Sequence, residues 1–172
     1  MKFKKILIPV MTGIILFLVL LVFLKNRRYV TGHEWYKMQD EYMNSFETLA
    51  DDMDDTLSLY IADSISTEDF LTHVYIMQQE LSLLESKYNA YEKKHPIRTG
   101  TYTKQEKRAV EAVRSLFGVF HNILDMMEAN AENKDVLAYD YIGYHQDAIK
   151  YVTQYTTAKN FIDGTWKLEE GG

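Results

Sequence analysis

Apolar residues along most of this chain recur in steps of three and four, and an α-helix is the backbone that turns side chains at that spacing onto one face. Trp35, Met38, Tyr42, Phe46, Leu49, Met53, Leu57 and Tyr60 form the first stripe. Phe70, Val74, Met77, Leu81, Leu84, Tyr88 and Tyr91 form a second. The third runs Val110, Val113, Phe117, Phe120, Leu124, Met127 and Ala131. A fourth, Tyr141, His145, Ala148, Val152 and Tyr155, is less regular. Ser66 with Asp69, and Thr103 with Glu106, have the spacing of capping boxes that open helices, and Asn133 or Asp135 can cap the fourth. Pro96 and Gly100 break the chain between the second and third stripes, and Gly164 ends the last.

These signals predict helices at about 33–62, 67–94, 104–131 and 135–163. Short links favour antiparallel neighbours, so residues 29–172 are expected to form an up-down-up-down four-helix bundle. Pairing between chains as a coiled coil is the alternative, and the turns near Ser64 and Asn133 weigh against it. The expected fold class is all-α: an N-terminal single transmembrane helix followed by that bundle.

The transmembrane expectation rests on Ile6 to Leu24, about 19 residues without a charge, interrupted by Pro9, Thr12 and Gly13. This run is longer than the roughly 7–15 apolar residues of a secretory signal peptide. The best cleavage region, Val30-Thr31-Gly32, lies beyond Lys25, Arg27 and Arg28, so residues 1–28 read as a retained signal-anchor in contact with membrane lipid. With no cysteine anywhere, a lipoprotein anchor is excluded. Lys2, Lys4 and Lys5 on one flank balance Lys25, Arg27 and Arg28 on the other. The N-terminus is expected inside, because the reverse would carry three lysines across the membrane; the bundle is then extracytoplasmic, with a cytoplasmic bundle as the alternative.

Charge narrows the partners. The formal net charge is −6, but six Lys or Arg and no acid fall within residues 1–28, leaving 13 basic against 25 acidic residues in the remainder. That balance disfavours nucleic acid. None of the seven asparagines begins a glycosylation sequon, which favours a bacterial protein.

Motifs with chemistry are sparse. Glu92-Lys-Lys-His95 is the single Glu-x-x-His, whereas a di-iron bundle needs two such pairs and two further glutamates. Phosphate-binding glycine loops, His-Glu-x-x-His and Gly-x-Ser-x-Gly are absent. The run Asp51-Asp-Met-Asp-Asp55 reads as a solvated helix face, since calcium needs a turned loop. His145 reads as a hydrogen-bonded core residue, His73 and His121 as boundary residues, and His33 as the start of the first helix. No catalytic, cofactor or metal site is expected.

Thirteen tyrosines are many for this length, and six outside the stripes, Tyr36, Tyr75, Tyr102, Tyr139, Tyr144 and Tyr151, are candidates for a docking surface. Chain direction separates the charges further. Lys93, Lys94, Arg98, Lys104 and Trp166 are expected at the membrane-proximal end, and Asp63, Glu68, Asp69, Glu128, Glu132 and Asp135 at the distal tip, where a basic partner would bind. The expected function is a membrane-anchored helical bundle docking another envelope or surface protein, as a subunit of a multi-component assembly, with homo-oligomers allowed. A ligand-sensing bundle is the alternative; a sensor must pass its signal inward, and about five residues precede the apolar run.

Overall fold

The computed structural model describes residues 15–22, 29–98 and 100–164. After residue 29 there are five helices, numbered here α1 (Gly32–Lys37), α2 (Gln39–Ile61), α3 (Thr67–Lys94), α4 (Lys104–Ala129) and α5 (Lys134–Ile162). Among the described residues there is no strand beyond an isolated bridge between Val30 and Ile97. The protein is an all-α helical bundle.

Capping explains where most helices start. Ser66 and Asp69 close a box at α3, Thr103 and Glu106 another at α4, and the Asn133 side chain accepts from Val136 N–H at α5. A third box, Thr31 with Glu34, opens α1. The first expected helix is divided at Met38. There the buried Gln39 side chain donates to the Trp35 carbonyl at 2.8 Å, taking the acceptor that an unbroken helix offers to a backbone N–H four residues on. Between α2 and α3 the chain turns through Asp63, which sits at φ 57, a left-handed conformation that Asp tolerates better than most residues.

Side-chain contacts fix the helix directions. At one end, Tyr60 near the close of α2 stacks on Phe70 near the start of α3, and its hydroxyl donates to the Ala131 carbonyl just beyond α4. At the other end, Trp35 of α1 stacks on Tyr91 near the close of α3, and His33 Nδ1 lies 2.8 Å from Glu106 Oε1 at the start of α4. Successive long helices therefore run in opposite directions.

Helix α4 touches every other helix and is buried over the widest arc; Ala109, Ala112, Leu116 and Ile123 join its apolar stripe in the core. Phe46, Phe117 and Phe120 form the aromatic centre, with ring centroids about 5 Å apart. Tyr36, expected on the surface, is buried in this core, because the break at Met38 lets α1 turn a second side beneath the bundle.

No helix among the described residues is long and apolar enough to cross a membrane. Within the Ile6–Leu24 run, residues 15–22 are described; they are helical, and each side chain is between 46% and 64% exposed. The rest of that run lies outside the described residues.

Candidate functional site

Helix α5 lies along α4 over its length but meets α2 sparingly, which leaves an open seam between α2 and α5. The seam holds a groove of about 600 Å³. Phe46, Met53, Phe120 and Ile123, all buried, form its floor. On the α5 side Ala148 lies at the base and Ile149 and Val152 stand exposed above, an apolar strip interspersed with His145, Thr153 and Thr156 and without an acid. The α2 wall is polar: Asp40, Asn44, Glu47, Asp51 and Asp54 follow one another in steps of four and three.

Two clasps close the ends. Tyr155 donates its hydroxyl to Asp40 Oδ1 at 2.6 Å, and Lys159 Nζ reaches the same oxygen. Tyr141 donates to Asp54 Oδ1 at 2.7 Å. Fourteen residues separate the two aspartates and fourteen the two tyrosines, so the clasps stand about 21 Å apart along the helices. Burial, then the neighbouring carboxylate, pushes both phenols far above the usual tyrosine range. Partial burial alone would raise Asp40, but the hydrogen bonds from Lys159 and Tyr155, with the Lys159 charge, leave it below the ordinary carboxylate value.

Between the clasps, Glu47 and Asp51 are exposed and make no hydrogen bond or ion pair with another described residue. His145 also lines the groove. It is half-buried, its ring 5.8 Å from that of Tyr141, and it has no hydrogen-bond partner among the described residues. The expectation of a hydrogen-bonded core histidine is corrected here: because the seam is open, the imidazole faces a groove wall instead of packed neighbours. The Asp51–Asp55 run is likewise divided. Met53 is core, Asp51 and Asp54 face this groove, and Asp52 faces a smaller depression between α2 and α3.

The expected end clusters take up different surroundings. Asp63 accepts from Lys134 at 2.5 Å, Asp69 is engaged in the Ser66 cap, and Glu128 accepts from Gln78 at 2.9 Å. Glu68, Glu132 and Asp135 are exposed at the same end. Lys93, Lys94, Arg98 and Lys104 lie at the opposite end, around the bridge of Val30 with Ile97, where the Arg98 N–H donates to the Val30 carbonyl. That end also carries acids. Glu106 is buried, and although burial would raise it, bonds from Thr103 and His33 hold it below the ordinary carboxylate value. Trp166 lies outside the described residues. Of the tyrosines proposed for docking, Tyr75, Tyr139 and Tyr144 are exposed, Tyr151 and Tyr102 are half-buried, and Tyr36 is core.

Glu92 pairs with Arg114 at 2.5 Å while His95 leans on the Tyr91 ring, so the Glu-x-x-His spacing does not make a ligand set. Among the described residues, no three His, Asp or Glu side chains converge as a metal would require. Sequence reasoning missed the groove, because a gap between helices leaves no periodicity of its own. A signal existed in the polar stripe from Asp40 to Asp54, which runs beside the apolar stripe of the same helix. Comparison with known proteins adds no relative: no family model, curated protein or solved structure matches the chain.

Proposed function

We propose that this chain is a membrane-tethered, non-enzymatic docking subunit: the Ile6–Leu24 run holds it in the bilayer with the N-terminus inside, and the extracytoplasmic bundle binds another envelope or surface protein through the α2–α5 groove. The observation that carries the reading is the open seam, where an apolar floor meets a wall on which Glu47 and Asp51 make no hydrogen bond or ion pair with another described residue. Buried apolar floors with unpaired charge on one rim suit a partner that brings both apolar surface and cations. The exposed apolar helix at residues 15–22 supports the tether, since eight consecutive apolar side chains facing water would be unfavourable without lipid around them.

A second reading, a ligand-sensing bundle, draws on the groove's volume, which falls within the roughly 300–1,000 Å³ of small-molecule sites. Site-specific photo-crosslinking in cells decides between the two. A crosslinker at Thr153 on the groove rim should give one discrete protein adduct, and a crosslinker at the exposed Tyr75 of α3 should not. No adduct from Thr153, or the same adduct from both positions, would defeat the docking reading.

A further inference from the structure

We infer that the occupant of the α2–α5 groove is an amphipathic helix of about four turns with a basic flank, supplied by a second protein. This rests on the docking reading and specifies the partner's chemistry. Two stripes face each other across the seam. On α2, Asp40, Asn44, Glu47, Asp51 and Asp54 recur in steps of four and three; on α5, Tyr141, His145, Ala148, Val152, Tyr155 and Lys159 do the same. An average near 3.5 residues is the spacing at which one helix seats its side chains between those of another. Both walls are therefore ruled for a guest helix, and along the groove the hydrogen bonds between them among the described residues are those of the two clasps.

Size and charge then select the guest. The clasps leave about 21 Å, the length of about 14 helical residues. A groove of about 600 Å³ admits a row of side chains but not a helix of about 10–12 Å diameter, so the guest lies astride the seam with one face inserted. Its inserted face must be apolar, to meet Phe46, Phe120, Ile149 and Val152. Its flank over α2 must be cationic, because α2 carries seven acids and no Lys or Arg, and Glu47 and Asp51 in the middle of the wall make no hydrogen bond or ion pair with another described residue. A second copy of this chain is a poor occupant of the seam. Two-fold pairing through this face would set Glu47 and Asp51 against the same acids of the other copy.

The chain has no cysteine, so Thr153→Cys introduces a single thiol on the exposed groove rim for an environment-sensitive fluorophore. The labelled full chain, held in zwitterionic nanodiscs, is titrated with a peptide of about 14 residues, Leu at the core positions and Lys on one flank. We expect a saturable signal, weakened about tenfold or more by the double change Glu47→Lys and Asp51→Lys. Ile149→Glu should also weaken it, even though that change makes the face more acidic. Both sets of positions are exposed, and unchanged melting verifies that these variants fold. The proposal is overturned by any of four results: no saturable signal; equal response to a Leu/Glu peptide; undiminished binding by Ile149→Glu, which marks unspecific charge attraction; or displacement of the peptide by dodecyltrimethylammonium at lower concentration, which marks a slot for single alkyl chains. Self-association abolished by Ile149→Glu would assign the seam to a second copy and overturn it too. If the peptide fails while the Thr153 crosslinker still captures a protein, the helix is wrong and docking stands; if both are silent, docking falls as well.

Discussion

Removing the two phenolic hydroxyls that clasp the groove should loosen α5 from α2 by separable, unequal amounts. Tyr141→Phe deletes the single hydrogen bond between Tyr141 and Asp54, whereas Tyr155→Phe leaves Asp40 still held by Lys159. A hydrogen bond to a charged group contributes roughly 1.5–3 kcal/mol when well buried. Both phenols are buried, at 6% and 3% exposure, but the aspartates face solvent, which reduces the gain. We therefore expect about 1–1.5 kcal/mol for Tyr141→Phe and about 0.5–1 kcal/mol for Tyr155→Phe. In melting temperature this is roughly 3–5 °C and 2–3 °C for a domain of this size. The clasps are about 21 Å apart, well beyond the range at which substitutions interact, so the double variant should show the sum within about 0.5 kcal/mol. Circular dichroism melts of the four proteins at neutral pH measure the total, and hydrogen exchange along α5 locates it. Melts unchanged in the double variant, or a loss for Tyr155→Phe exceeding that for Tyr141→Phe, would show that the clasps do not hold the seam in the way argued.

Alkali should unfold the bundle cooperatively. Burial pushes Tyr36 up to about 12 and Tyr88, Tyr102, Tyr141 and Tyr155 higher still, so their contribution is complete below pH 10 and is lost as pH rises toward the folded values, at about 1.4 kcal/mol per pH unit for each phenol; tyrosinate absorbance and helicity should change together between pH 10 and 12. Gly32→Ala should destabilise by about 1–3 kcal/mol, because a Cβ there would stand 2.6 Å from Tyr102 Cδ1 and 2.8 Å from its Cα, and chemical denaturation measures the loss. His145→Ala should shift stability by about 1 kcal/mol or less, since the ring faces the groove without a hydrogen bond to another described residue; a loss above about 2 kcal/mol in urea titration would return His145 to the core. Lys93, Lys94 and Arg98 changed together to Gln should weaken low-salt binding to anionic liposomes, at about 1 kcal/mol per cation near the surface; equal binding by wild type and variant would remove the membrane-facing role of that end.

Much of the bundle was legible because burial and helical period are the same fact seen twice. Every residue of the third stripe, from Val110 to Ala131, is core, and the Ser66–Asp69 and Thr103–Glu106 spacings are both closed capping boxes. The break at Met38 was not legible, because it depends on where the Gln39 amide points and not on any helix-breaking residue. The wide burial of α4 was also hidden: Ala109 and Ala112 carry too little apolar surface to register as a stripe, yet both are fully buried. Acidic Asp51 and Asp54 were read as solvated, which is right for their exposure, but the surface they flank is fixed by how far α5 stands from α2. That distance is a tertiary quantity.

Helix α5 explains why the seam is open. Its apolar residues are spread around the axis, with Leu137, Tyr141, Ala148 and Tyr155 buried while Val136, Tyr139, Ile142, Ile149, Val152 and Phe161 remain exposed. A helix with one apolar stripe is satisfied by one packing surface, and α4 already provides it. The additional apolar side chains of α5 cannot be matched by α2, whose facing stripe is Asp40, Asn44, Glu47, Asp51 and Asp54. Drawing the two helices together along that line would bury Glu47 and Asp51 against Ile149 and Val152, and the desolvation of two unpaired carboxylates would exceed the gain from covering two aliphatic side chains. Along the groove the hydrogen bonds between the two helices are accordingly those of Tyr141, Tyr155 and Lys159 to the acids, and beyond it Lys134 of α5 donates to the Tyr60 carbonyl of α2. The groove between those points is the geometric result of an apolar stripe set against an acidic one, and a surface that is apolar on one side and basic on the other is what relieves both.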